Sequence, residues 1–271
     1  MYDEEYKQSD ALSGPDPCQV LETAMDAGHI LLENGAEIFR VRETMGRICR
    51  YFGVEYDDFL VLSNGIFTMG GSAGGTPFAQ IRYIPKFGTR LDKVVAVNQL
   101  SREIEKGNYS LEMVNRRLEE IRQMPGETAS MQVLATGLES ACFCYMFGGG
   151  WKDVAAAFLA GSLLHIYMLK VGGPHRSRLV GHLGGGMLLT FLCIVCLNLG
   201  LGEHLDLTII GTIIPLVPGV AFTNGIRDIA DGDYISGAVR LLDAILVFTS
   251  VGIGVGMMFM LYSRVMGGVF L

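Results

Sequence analysis

Charge is scarce in this chain of 271 residues: 18 % of it is charged against 50 % hydrophobic, a balance too apolar for an ordinary soluble domain of this length. Basic residues are the scarcer kind, 21 Lys and Arg against 28 Asp and Glu, and no basic stripe interleaved with aromatics occurs, which excludes a nucleic-acid binder. A nucleophile set beside a base, a metal-ligand cluster and a nucleotide motif are all missing, so the chain does not read as an enzyme and no cofactor or metal is expected. Gly70-Gly-Ser-Ala-Gly-Gly75 has the composition of a phosphate cradle but lacks the Gly-Lys-Ser/Thr ending, and it reads as a strand connection. The start of the chain, Met1 to Asp10, is acidic and polar, so no signal peptide is expected. Of the six cysteines, Cys142, Cys144, Cys193 and Cys196 fall in apolar runs, which speaks against a secreted disulfide framework. Cys193-x-x-Cys196 has no His or second Cys pair beside it and reads as small buried side chains.

What charge there is gathers in the first half, since 20 of the 28 acids precede residue 131. Two regions follow from this, one soluble and one membrane-embedded. Residues 1–17 are acidic and end in prolines, which predicts a flexible tail. Residues 18–125 predict a cytoplasmic α+β domain. Helices are expected at about 18–33 and 36–52, the second with Ile38, Val41, Met45, Ile48 and Phe52 on one stripe. A hairpin around Asn64-Gly65, a third strand over 78–84 and helices at about 91–106 and 111–124 complete the domain.

From Met131 onward the pattern predicts an all-α bundle of five spans, at about 131–147, 151–169, 179–198, 207–224 and 236–262. Each is long enough for a hydrocarbon core of about 30 Å at about 1.5 Å per residue. Lys170, Arg176, Arg178 and Arg227 lie in the loops after the second and fourth spans, whereas the loop after the third offers only Glu203 and Asp206. The positive-inside bias then places the N-terminal domain in the cytoplasm and the C-terminus outside. Glycines four apart, Gly181 and Gly185, then Gly252 and Gly256, predict close helix packing.

The stretch Gly211-Thr-Ile-Ile-Pro-Leu-Val-Pro-Gly-Val-Ala-Phe-Thr-Asn-Gly-Ile-Arg-Asp228 reads as a span broken in its middle. A proline lacks the N–H that would serve the carbonyl four residues back, so Pro215 deprives Gly211 and Pro218 deprives Ile214, while Gly219 frees the chain to turn. Polar backbone without partners is tolerated at membrane depth only against protein or a wet cavity, and such breaks are where transporters hold cargo. Gly211, Thr212, Pro215, Pro218, Gly219, Thr223, Asn224, Arg227 and Asp228 are therefore the candidate substrate-binding residues. A helix end and Arg227 would attract a carboxylate, while carbonyls, Thr212, Thr223 and Asn224 would hold the other polar groups. A proline kink followed by a charged cytoplasmic flank accounts for the same residues equally well.

Glu139, near the middle of the first span, is costly to ionise there. With Asp243 it is a candidate proton-coupling residue, set against a structural acid facing the bundle. Arg240 and Asp243, three apart on the fifth helix, can pair with each other. His165 and His182 read as satisfied side chains ahead of proton relays. Glu37, Arg40 and Glu43 recur at helical spacing opposite the apolar stripe, either as a charged outer face or as a docking surface for a partner.

Three stretches, Glu33-Asn-Gly-Ala-Glu-Ile-Phe-Arg-Val-Arg-Glu-Thr-Met45, Phe147-Gly-Gly-Gly-Trp-Lys-Asp153 and Ile214 to Asp228, resemble the bacterial threonine/serine exporter family. The order of soluble domain and spans is similar to its short, split-subunit branch, whose members work beside a separate small membrane protein. The resemblance implies proton-driven export of small polar solutes, hydroxy-amino acids or small dicarboxylates, across the bacterial inner membrane. It implies a partner subunit, a homo-oligomer, or both. Family motif positions map onto Gly35, Ala36, Glu37, Arg40 and Glu43, and onto Pro215, Pro218, Gly219, Asn224, Arg227 and Asp228, without assigned roles. The rival reading is a membrane-tethered sensor in which residues 18–125 bind a ligand.

Overall fold

A computed structural model describes residues 15–54, 58–70, 78–84, 88–171 and 177–266. The acidic tail before residue 15, the glycine run after Gly70 and the basic position Arg176 lie outside these residues. The chain forms two compact units, one of residues up to Pro125 together with Val220–Leu241, the other of Gly126–Gly219 with Leu242 onward. The first unit breaks off after Pro125, and the segment 220–241 belongs to it by contact.

In the first unit, helix α1 (Pro17–Glu33) opens on Pro17 with Asp16 accepting from the Cys18 N–H, a side-chain N-cap followed by proline in the first turn. It ends at Asn34, and Gly35 takes φ +86°, a left-handed value that glycine adopts without steric cost. Helix α2 (Ile38–Tyr51) follows and buries Ile38, Val41, Met45 and Ile48, the stripe expected from the spacing. Gly28 allows α1 and α2 to meet, since a Cβ there would come within 2.5 Å of the Met45 sulfur.

Strands β1 (Asp58–Leu62), β2 (Gly65–Gly70) and β3 (Phe78–Tyr83) form one antiparallel sheet in sequence order. Leu62 pairs with Gly65, so the two-residue turn is Ser63-Asn64. The expected Asn-Gly turn needs positive φ at both central residues; neither Asn64 nor Gly65 has it, and Gly65 is the first residue of β2. Phe59, Val61 and Ile66 bury one face of this sheet, while Leu60 and Ile81 lie exposed, the alternation of a half-covered sheet. Helices α3 (Leu91–Lys106) and α4 (Leu111–Arg122) add Val97, Leu100, Ile104, Val114 and Leu118 to the same core.

Helix α9 (Gly219–Ala230) and the first turns of α10 (Tyr234–Met266) form a hairpin within this unit. A Cβ on Gly237 would sit 2.7 Å from the Gly225 carbonyl oxygen, so the two backbones touch. Gly232 at φ +90° makes the turn.

The second unit holds α5 (Ala129–Met146), α6 (Trp151–Val171), α7 (Arg178–Asn198), α8 (Leu205–Ile213) and the rest of α10. Among the described residues, α6, α7 and α10 are each long and apolar enough to cross a membrane, and a fourth span results if the bent pair Leu205–Leu216 and Gly219–Ala230 counts as one. Of the five spans expected, the first corresponds to α5, which does not reach that level of hydropathy; three or four are what length and composition support.

Small residues carry the packing. A Cβ on Gly137 would strike Ser162, one on Gly161 would strike Ser140, and one on Gly211 would lie 2.7 Å from the Cys144 Cβ. Helices α5, α6 and α8 thus approach through glycine, serine and alanine, as helices do where burial of apolar surface supplies no drive. Gly252 and Gly256 meet nothing within 4 Å, which corrects the expected packing face. The close approach of α7 and α10 runs instead through Gly186 and Gly254, whose Cβ atoms would lie 2.4 Å from the Val251 oxygen and 2.2 Å from the Leu183 oxygen. Two residues along a helix is about 200° of rotation, so the register of the stripe was off by half a turn. All six cysteines are free, with Cys49, Cys144, Cys193 and Cys196 buried and Cys18 and Cys142 exposed.

Asp153 ties the loops of this unit together. It is fully buried. Its Oδ1 accepts from the N–H groups of Glu203 (2.6 Å) and His204 (2.8 Å), and its Oδ2 from the Gly150 N–H (3.0 Å) and from His204 Nδ1 (3.0 Å). The Gly150 bond is the reciprocal arm of a capping box, and the other bonds join the start of α6 to the residues leading into α8. The Asp153 carboxylate raises the His204 pKa above its ordinary value, with Asp206 and Glu203 adding to the effect.

Two outcomes are expected. Gly254→Val should lower the unfolding temperature of the detergent-solubilised chain markedly, because backbone cannot give way to the added methyls, whereas Gly252→Val should leave it within a few degrees; equal effects would refute the packing register. Because His204 holds its proton more tightly in the folded state, its contribution is complete below its unfolded pKa of about 6.5 and is lost as pH rises through the higher folded value. Unfolding temperature should therefore fall as pH rises from about 6.5 into the alkaline range, and His204→Gln should flatten that slope.

Candidate functional site

The polar residues of α9 and the start of α10 meet the turn between α1 and α2. That turn is built by local rules: Gly35 N–H donates to the Leu32 carbonyl and Ala36 N–H to the Leu31 carbonyl, a glycine-terminated helix end. Glu37 then stands at the N-cap of α2, but its side chain makes no capping bond. The open amide of Ile38 is met from far along the chain, by Asp228 Oδ1 at 3.2 Å. A carboxylate at a helix N-terminus is favoured both by the hydrogen bond and by the helix dipole.

Around that contact the α9–α10 hairpin supplies one partner after another. Asn224 Nδ2 donates to the Gly35 carbonyl at 2.8 Å, and Arg240 Nη2 donates to the Ala36 carbonyl at 2.9 Å. Arg240 Nη1 also stands 3.2 Å from Asp228 Oδ2. That oxygen has no directed hydrogen bond, so the guanidinium serves it as a charge partner whose angle is poor. Arg227 Nη1 pairs with Glu37 Oε1, Arg40 Nε with Glu37 Oε2 at 3.2 Å, and Arg42 Nη2 with Asp233 Oδ2 at 2.6 Å. Asp228 is 1 % exposed and the Arg240 side chain 11 %, so this pair is desolvated, while Arg227 is open to solvent.

Five of the residues singled out from the sequence, Glu37, Arg40, Asn224, Arg227 and Asp228, are thus brought together. Glu43 is not among them; it pairs with Arg47 on α2 at 2.7 Å. Gly211 and Thr212 lie in the second unit, Gly211 against Cys144 and Ser140, and Thr212 buried with its hydroxyl donating to the Thr208 carbonyl. Pro215 sits in the short 3₁₀ turn Ile214–Leu216 and Pro218 just before α9. The Ile214 carbonyl, expected to lose its partner to Pro218, instead accepts from the Val217 N–H at 2.9 Å. A 3₁₀ turn takes its donor one residue earlier than an α-helix, which sidesteps the proline. Gly219 donates to the Val217 carbonyl, and the exposed Thr223 donates to the Val220 carbonyl. Glu139 lies exposed on α5. Asp243 does not pair with Arg240, which Asp228 engages; it pairs with Arg178 of α7 at 2.9 Å. His165 is held by Thr136 and Gln132 and His182 by the Arg178 carbonyl. No group of three or more His, Cys, Asp or Glu fit to hold a metal occurs among the described residues.

Asp153, Arg240 and Asp233 were not singled out for these partnerships. Arg240 carried a sequence signal, a lone base early in an apolar helix, but the signal pointed to the acid three residues on. Asp153 and Asp228 each close one of the stretches quoted above, which leaves their remote partners unspecified.

Comparison with known proteins bears on the same stretches. The profile described as ThrE, "Putative threonine/serine exporter", matches residues 22–262. The chain belongs to this threonine/serine exporter family. It is 22 % identical over 245 residues to the threonine/serine exporter of Corynebacterium glutamicum, covering 88 % of this chain and 50 % of that protein. It is 26 % identical over 231 residues to the probable succinate transporter subunit YjjP of Klebsiella aerogenes, covering 84 % and 88 %, and 23 % identical over 239 residues to that of Escherichia coli K12, covering 88 % and 93 %. The chain thus spans about half the length of the Corynebacterium relative. No solved structure matches it. With three or four apolar helices of spanning length, this family member is a multi-pass membrane protein.

The buried pair sets an expected outcome. Arg240→Met leaves Asp228 buried without its charge partner and should destabilise the solubilised chain by about 3 kcal/mol. Adding Asp228→Asn should recover part of that loss. Strictly additive losses in a double-mutant cycle read by thermal unfolding would refute the pairing.

Proposed function

We propose that this family member is a subunit of a bacterial inner-membrane secondary exporter of small polar metabolites, hydroxy-amino acids or small dicarboxylates, driven by the proton gradient. The observation that carries the reading is the interruption at Ile214–Pro218 of an otherwise apolar helical pair, within the region matched to the exporter family. Irregular backbone in a membrane helix is tolerated where it borders a cavity, and there it can hold a solute. In this reading the cargo binds at the backbone of 211–219, with the turn around Pro215, Pro218 and Gly219 as its polar surface and Thr212 buried behind it.

Asn224 and Asp228 then play a different part from direct cargo contact, because their polar atoms are taken up by Gly35, Ile38 and Arg240. They hold the α9–α10 hairpin to the α1–α2 turn. Arg227 and Thr223, both exposed, remain the positions able to meet an arriving carboxylate. Helix α5 is taken as the fifth span, its modest hydropathy offset by the glycine and serine contacts that bury one side of it. Glu139 on its exposed side is the proposed proton carrier, with Asp243 tied to Arg178 as the secondary candidate. The N-terminal domain is placed in the cytoplasm and the C-terminus outside. A separate membrane subunit completes the pathway, a reading supported by the word subunit in the YjjP names.

The test is efflux of threonine, serine and succinate from loaded cells with and without this chain and the partner subunit. Faster efflux of at least one solute is expected, lost when the gradient is collapsed, and reduced about tenfold or more by Pro215→Ala together with Pro218→Ala or by Glu139→Gln. Equal efflux for every solute in both strains would overturn the reading.

A further inference from the structure

We infer that the N-terminal α+β unit carries a second ligand site, a cleft that takes a small dianion such as a dicarboxylate or a phosphate. The cleft, about 550 Å³, is lined by His29, Glu33, Arg82, Lys93 and Arg122. Those side chains come from four elements: His29 and Glu33 from α1, Arg82 from β3, Lys93 from the first turn of α3 and Arg122 from the last turn of α4. In a chain whose net charge is −7, three permanent cations converging on one cleft stand out against the background.

The wall of the cleft itself carries three cations and one acid, Glu33. Asp26 is shared by Arg82, which bonds it through Nη1, and Arg122, whose Nη2 lies 3.4 Å away, and Glu119 Oε2 stands 3.8 Å from Arg122 Nη1. Lys93 Nζ donates to the Arg122 carbonyl at 2.7 Å, a neutral partner. Glu33 is the other acid at the cleft, 3.8 Å from His29 Nε2. Burial holds the His29 pKa below its ordinary value, with Arg82 and Arg122 adding to that effect and Glu33 and Asp26 opposing it. The His29 Nδ1 is buried and has no hydrogen-bond partner among the described residues. A buried polar atom without a partner is costly unless something supplies one. Two guanidinium forks and an ammonium facing one cleft fit a doubly charged anion of few atoms, because carboxylate and phosphate oxygens each accept two N–H bonds from such forks. Lys93 and Arg122 would be the anchors, with His29 completing the polar lining.

This site is independent of the solute path at the helix break. It uses none of the residues assigned there, and binding to it needs neither a gradient nor a partner subunit. A solute-responsive cytoplasmic unit would make export sensitive to the internal anion level.

The experiment is calorimetric titration of the full chain in detergent, at low ionic strength, with succinate and separately with inorganic phosphate. Saturable binding of at least one is expected, and the tighter of the two identifies the source of the anion. Each cation would give the anion a charge-assisted hydrogen bond, so Lys93→Gln and Arg122→Gln should each weaken binding about tenfold or more, while Lys93→Arg should retain it. A measurement on the unaltered chain removes dependence on how the variants fold: the bound anion should shield Lys93 from an amine-reactive acylating reagent, read by mass spectrometry. Absence of saturable binding to both anions, or unchanged labelling of Lys93 at saturation, would overturn the inference. Neither outcome depends on whether the cells export anything.

Discussion

A helix begins with backbone N–H groups that have no partner inside the helix, and in this chain two aspartates far away in sequence resolve that shortage. Asp228 reaches the Ile38 amide at the start of α2, and Asp153 takes the amides of Glu203 and His204 just ahead of α8. Each carboxylate is almost wholly buried, where an unsatisfied oxygen is expensive, so each constrains its surroundings more tightly than a surface ion pair would. Within each unit one aspartate therefore fixes how a loop meets a helix start: the α1–α2 turn in the first, the entry to α8 in the second.

Glycine works in parallel with these carboxylates. Gly225 and Gly237 bring α9 and α10 into backbone contact, and only then can Asn224, Arg227, Asp228 and Arg240 point from two helices at one short turn. In the second unit Gly137, Gly161, Gly186, Gly211 and Gly254 play the same role between helices. Close approach permits polar groups of adjacent helices to find one another, and it also keeps Thr136, Ser140, Thr190 and Thr212 buried on bonds to their own helix carbonyls. That economy is what a helical bundle in a low-dielectric surrounding requires.

The polar and apolar halves of the chain divide the chemistry. A buried ion pair, Asp228 with Arg240, joins the hairpin to the N-terminal helices, while a cleft lined by three cationic side chains lies on the other elements of the same unit. The interrupted helix pair near Pro215 and Pro218 belongs to the exporter-family region. Solute recognition and solute sensing can thus reside on separate residues of one chain.

Periodicity and turn chemistry placed most of the elements, but not the hairpin turn, which falls at Ser63-Asn64, nor the segment after residue 219, which packs with the first unit. The α2 stripe, the three strands, α3 at 91–106 and the helices after residue 129 all follow from spacing and from the glycines and prolines between them, because those signals act between residues three or four apart. The same local rules singled out the residues Glu37, Arg40, Asn224, Arg227 and Asp228. They did not say that these five would meet, that Arg240 would turn to Asp228 and not to Asp243, or that Gly254 and not Gly252 would pack. Those outcomes are contacts across about 190 residues of chain or half a helical turn of rotation. A carboxylate carries no mark of which distant amide it will cap, so partnership of that kind exists only once the helices have packed.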